Sequence, residues 1–189
     1  MKNKSIVLST ILILLLLISG GSMAWFSSGT NVINEFKMGT VEVEVKEPGF
    51  EPIEGAEEDV IYTKNVQVKS TGSKNTYVRV RIVPYWDENP SLPVSNVQLN
   101  LANNSDWVDN TAVDGYYYFK YYLEEGQETS LLLQSVTFTE LGPEYEGETL
   151  TLKVVAEGVQ ITNGAWKHVW NLEELPFTPN QPWIPPTAD

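Results

Sequence analysis

The chain carries a single histidine, His168, and no cysteine, so thiol catalysis, disulfides and cysteine-based zinc sites are excluded at the outset. A histidine acting as general base needs a nucleophile held against it. His168 lies between Trp166 and Trp170, with nothing nearby to mark one. No HExxH, GxSxG, P-loop or GxGxxG pattern occurs. Carboxylates are plentiful, with Asp106, Asp109 and Asp114 close together and Asp87 beside Glu88. Calcium asks for roughly six to eight oxygen ligands in an ordered loop, and these acids lack a DxDxDG-like spacing. They read as a solvated acidic surface. The expectation is a protein with no catalytic residues, no metal and no cofactor, and not an enzyme.

Charge narrows the partners. A formal net charge of −13 repels phosphate backbones and anionic lipid, so neither nucleic acid nor a membrane surface is expected as a partner. The aromatic run Tyr116, Tyr117, Tyr118, Phe119, Tyr121 and Tyr122 offers either cross-strand packing or a stacking platform for sugar rings. Alternate side chains of a strand point to opposite faces, so one face cannot take them all, and packing is the expected role of most.

The elements that must position these residues are strands. The opening Lys2 and Lys4, the apolar run Ile6–Ile18 and the small-residue end Ser22 and Ala24 form the three parts of a secretory signal peptide. The run is short against the roughly 20 residues of a spanning helix. Residues 1–24 are therefore expected to be removed, leaving a mature chain that begins at Trp25. Beyond them the dominant period is two: Val41, Val43 and Val45; Val66 and Val68; Val78, Val80 and Ile82; and Leu150, Leu152, Val154 and Ala156 each share one face. The turn cluster Ser70–Asn75 suggests that residues 60–83 form an antiparallel hairpin, closed by Pro84. Residues 85–110 read as a long connection holding one short element, Val97–Leu101. Residues 164–175 read as a helical turn or strap. Five prolines after Leu175 indicate an extended, mobile tail. The fold class expected is all-β, an antiparallel jelly-roll-like β-sandwich over residues 37–175, with a free N-terminal strand segment at 25–36 and a Pro-rich tail at 176–189.

The most informative stretch is Gly21-Ser22-Met23-Ala24-Trp25-Phe26-Ser27-Ser28-Gly29-Thr30, a small-residue cleavage site followed at once by two large aromatics. With Phe36-Lys37-Met38-Gly39-Thr40 and the Val/Glu strand after it, this stretch resembles the TasA/camelysin family, closest to its clostridial biofilm-matrix branch. The likeness extends to Lys64–Gly72, to Tyr77-Val78-Arg79-Val80-Arg81 and to Trp107–Ala156, nearly the whole mature domain. It implies processing by a SipW-type signal peptidase at Ser22, Ala24 and Trp25. It also implies a secreted subunit of extracellular matrix and cell-surface fibres, whose partners are further copies of itself and accessory matrix or anchoring proteins. Assembly in that family implies donor-strand exchange, in which the segment freed at Trp25 completes a neighbour's sheet. Some camelysin-like members are described as metalloproteases; a zinc site needs two or three nitrogen or sulfur ligands, and His168 is the only such side chain here.

The residues permit strand donation. Trp25, Phe26, Val32, Ile33 and Phe36 supply apolar side chains, and no proline interrupts Trp25–Lys46, so every backbone donor can pair. Burying four such side chains contributes roughly 6–12 kcal/mol, whereas ordering about ten residues costs roughly 10–20 kcal/mol. Main-chain ladder bonds must supply the difference. The alternative expectation is a monomeric carbohydrate-binding adhesin that uses exposed aromatics.

Overall fold

The computed structural model describes residues 41–47, 57–87, 89–102 and 105–186. Within them the expected all-β sandwich is present. Eight strands, β1 (Val43–Lys46), β2 (Ile61–Ser70), β3 (Thr76–Trp86), β4 (Val97–Leu101), β5 (Trp107–Asp109), β6 (Tyr117–Phe119), β7 (Leu133–Phe138) and β8 (Leu150–Gln160), are joined by turns and two short helices, α1 (Thr111–Asp114) and α2 (Ala165–Val169). They form two antiparallel four-stranded sheets, ordered β1-β2-β7-β4 and β5-β6-β3-β8. The strands that alternate most clearly in sequence supply the shared core. Val66 and Val68 of β2 and Leu133, Val136 and Phe138 of β7 face Val78, Val80 and Trp86 of β3 and Ala156 of β8.

Residues 60–83 do not form a hairpin. β2 pairs with β1 and β7, while β3 pairs with β6 and β8. The turn after Ser70 carries the chain from one sheet to the other, and the valine faces of β2 and β3 meet across the core. Alternation reveals that a strand has a buried face but not whether its sequence neighbour lies beside it or opposite it. Pro84 does not end β3 either; the strand runs on to Trp86 with Pro84 opposite Leu152. β6 pairs with β3 only at Arg79 and Val80, so from Arg81 onward one edge of β3 has no ladder partner among the described residues, a position that tolerates a residue without an N–H.

A second apolar layer lies on the outer face of the β3–β8 sheet. Tyr77, Tyr116, Tyr118 and Val159 are covered there by Trp166, Val169 and Trp170 of the α2 region and by Phe177. The tail, expected to be extended and mobile, bends at residues 176–177 and 179–180, with Asn180 at φ 63°, and it is packed: Trp183 is 8% exposed and belongs to the inter-sheet core.

Candidate functional site

The leader residues Ser22 and Ala24 and the donor-strand residues Trp25, Phe26, Val32, Ile33 and Phe36 lie outside the described residues. The structure does place the candidate chemical groups. His168 stands exposed on α2, in a shallow depression lined by Lys167, Asn171, Leu172 and Glu173, none of which carries a hydroxyl. Asp109 accepts hydrogen bonds from the Thr111 amide (2.9 Å) and hydroxyl (2.6 Å). Asp87 accepts one from the Thr151 hydroxyl at 2.8 Å. Asp114 accepts from the Tyr116 amide at 3.1 Å and from the Tyr118 hydroxyl. These carboxylates hold loops in place. Among the described residues, no three His, Cys, Asp or Glu side chains come together as a metal-ligand set.

The aromatic run is consumed by packing. Tyr116, Tyr117, Tyr118 and Phe119 are all buried, and Tyr121 and Tyr122 are half-buried. Alternation splits them as strand geometry requires: Tyr117 and Phe119 enter the inter-sheet core, while Tyr116 and Tyr118 join the outer layer. Among the described residues the one exposed aromatic is Tyr85, at 39%.

Behind Tyr116 and Tyr118 lies a buried polar network that sequence patterning did not reveal. Arg79 donates to Glu157 Oε2 through Nε at 2.9 Å and Nη2 at 2.7 Å, and through Nη1 to the Tyr118 hydroxyl at 3.2 Å. Its guanidinium also lies 3.9 Å from the ring centre of Tyr116 and 4.8 Å from that of Trp170. The Tyr116 hydroxyl donates to Glu157 Oε1 at 2.7 Å. Burial pushes the Tyr118 phenol up to about 12; the hydrogen bond to Asp114 adds to this and Arg79 opposes it. Burial alone would lower Arg79, but its bonds to Tyr118 and Glu157 outweigh that and raise it above its usual value. The signal in the sequence was two arginines at outward-facing positions of an otherwise apolar strand. A buried arginine must find a carboxylate, and Glu157 stands opposite Arg79 in the β3–β8 register.

No family model, curated protein or solved structure matches this chain. The least completed part of the described geometry is a sheet edge. β8 is eleven residues long and pairs along its whole length with β3. It is the last strand of its sheet, so its other edge has no ladder partner among the described residues. Its inward side chains Leu150, Leu152 and Val154 are only half-buried, although they pack against the inter-sheet core. β1 ends the opposing sheet on the same flank. The two approach closely at one point: a Cβ on Gly158 would meet Val43 Cγ1 at 2.8 Å and Val41 Cγ1 at 3.1 Å. β1 has only four residues, too few to accompany β8 along its length. β1 pairs with β2 instead, and the place beside β8 is open among the described residues. Long sheet edges of this kind template the addition of another strand.

Proposed function

We propose that this chain is a secreted structural subunit of extracellular biofilm-matrix fibres, assembled when the segment freed at Trp25 adds as a strand to a neighbouring subunit. The observation that carries the reading is the eleven-residue β8, which has a full ladder on one edge, none on the other among the described residues, and a half-buried apolar inward face. A donated strand would gain ladder bonds along β8, where each net bond is worth about 0.5–1.5 kcal/mol, and would cover Leu150, Leu152 and Val154. Proline-free residues 25–36 have the length and the apolar side chains for this. The family resemblance of the leader junction points the same way, and signal-peptide cleavage would then license assembly by freeing the donor. The assignment carries no enzymatic role.

Electron microscopy and sedimentation of protein beginning at Trp25, beside protein beginning at Lys37, test this reading. Fibres from the first and monomers from the second are the expected result. Monomers from both would remove the self-assembly claim and leave the glycan-binding adhesin, for which Tyr85 is the exposed aromatic among the described residues.

A further inference from the structure

The proline-rich tail has a periodicity that a passive strap does not require. Pro176, Pro179, Pro182 and Pro185 recur at every third position, and Phe177, Asn180 and Trp183 follow them with the same spacing. The second set makes the contacts. Phe177 packs edge-on against Tyr77, with ring centres 5.5 Å apart. The Asn180 amide donates to the Tyr77 hydroxyl at 2.8 Å, and that hydroxyl donates to Asn180 Oδ1 at 3.3 Å. Trp183 enters a pocket where its ring centre lies 5.0 Å from that of Phe119 and 5.3 Å from that of Tyr121. Main-chain bonds fix the direction. The Tyr122 N–H donates to Gln181 O at 2.9 Å and the Trp183 N–H donates to Tyr122 O at 3.0 Å, a parallel bridge of Tyr122 with Pro182. Gln127 Nε2 donates to Trp183 O at 3.3 Å.

Between these anchors the tail stays on the surface: Thr178, Pro179, Asn180, Gln181, Pro182 and Ile184 are exposed. The segment is therefore gripped by two rings, one asparagine and a short strand-like pairing, in the manner of a bound peptide. Prolines at every third position fix φ and bias the residues before them toward extended backbone. Apart from Asn180, which docks at φ 63°, the detached tail would thus have few conformations to lose, which lowers the cost of docking it again.

We propose that this groove is a peptide-recognition site, and that its partner in trans is the same tail on a second copy of this chain. Every contact described above is non-covalent and independent of the link from Asn171 to Pro176, so a neighbour's tail makes the same set. The link favours the tail in cis through its high local concentration. Where subunits are crowded, the exchange of identical segments becomes a low-cost cross-connection. This inference is independent of the β8 edge.

The test uses a fluorescent peptide spanning Leu175–Pro186 and two full-length proteins, the parent and a Phe177→Ala/Trp183→Ala double variant whose own tail no longer competes. Anisotropy should show the double variant binding the peptide about tenfold or more tightly than the parent, with binding lost when the peptide itself carries Trp183→Ala. No binding to either protein, with the double variant folded by near-ultraviolet circular dichroism, overturns the recognition site. Should the double variant fail to fold, the parent provides the second measurement. The chain has no native cysteine, so a dye at Ile184→Cys on one population and an acceptor at Val113→Cys on another, both at exposed positions, report exchange directly. Energy transfer that rises with protein concentration and disappears with excess peptide is expected. Its absence at every concentration overturns the trans pairing.

Discussion

The two flanks of the sandwich are finished in opposite ways. On the β6 side the chain seals itself: Trp183 closes the core against Phe119 and Tyr121, Trp107 donates through Nε1 to Ser130 O at 3.3 Å, and Trp170 packs edge-on against Tyr118 with ring centres 5.7 Å apart. On the β8 side the inward residues Leu150, Leu152 and Val154 remain half-buried along an edge with no described ladder partner. The described residues thus place three tryptophans and a docked tail on one flank, and leave one edge of an eleven-residue strand without a ladder partner on the other; on the proposed reading, stability and association reside in separate places. Stability should therefore respond to changes on the sealed flank, and assembly to changes on the open one.

The largest effect expected is on the sealed flank. Trp183→Ala removes a buried ring from the core and should cost about 3–5 kcal/mol in urea unfolding, without abolishing strand donation in whatever fraction stays folded. Next comes the polar network. Tyr118, with its phenol raised from 10.0 to about 12, holds its proton more tightly folded than unfolded. Its contribution is complete below pH 10 and is lost as the pH rises through 12. Roughly 2–3 kcal/mol should disappear over that window, and Tyr118→Phe should flatten this part of the stability profile. At the junction of the flanks, Gly158→Ala places a Cβ against Val43 and Thr76 Cγ2, the latter at 2.9 Å. About 1–3 kcal/mol of overpacking is expected, together with displacement of β1 seen as faster hydrogen exchange at Val43–Lys46. The smallest effect is at the surface. Lys69→Ala breaks a 3.6 Å pair with Glu128 between partly exposed side chains and should change stability by less than about 1 kcal/mol. A loss of several kcal/mol there would blur the contrast between the flanks.

Much of this architecture was legible because period-two alternation is a local property. β1, β3, β8 and the short β4, with bounds Val97–Leu101, could all be read from side-chain order. β5 could not, since three residues, Trp107–Asp109, are too few to show a period. Sheet membership was also hidden: β2 and β3 look like a hairpin until the partners of each are known. Pro84 misled for the same reason, because its tolerance depends on how short β6 is. The tail was misjudged from its prolines, although Phe177 and Trp183, isolated aromatics in a polar, proline-rich segment, were a signal that it docks. The candidate edge was half visible. The length and apolar face of β8 are written in Leu150–Gln160, but whether a strand has a second neighbour is a relation between segments, and no single segment records it.

Residue-resolved hydrogen exchange on protein beginning at Lys37, titrated with a peptide of residues 25–36, examines that relation directly. Alternate amides along β8, those directed away from β3, should exchange rapidly in the protein alone and become protected as the peptide binds. The amides of β3, already paired on the β8 side, should change little. Outward β8 amides that are protected before the peptide is added, or that stay unprotected at saturation, would contradict strand donation to this edge.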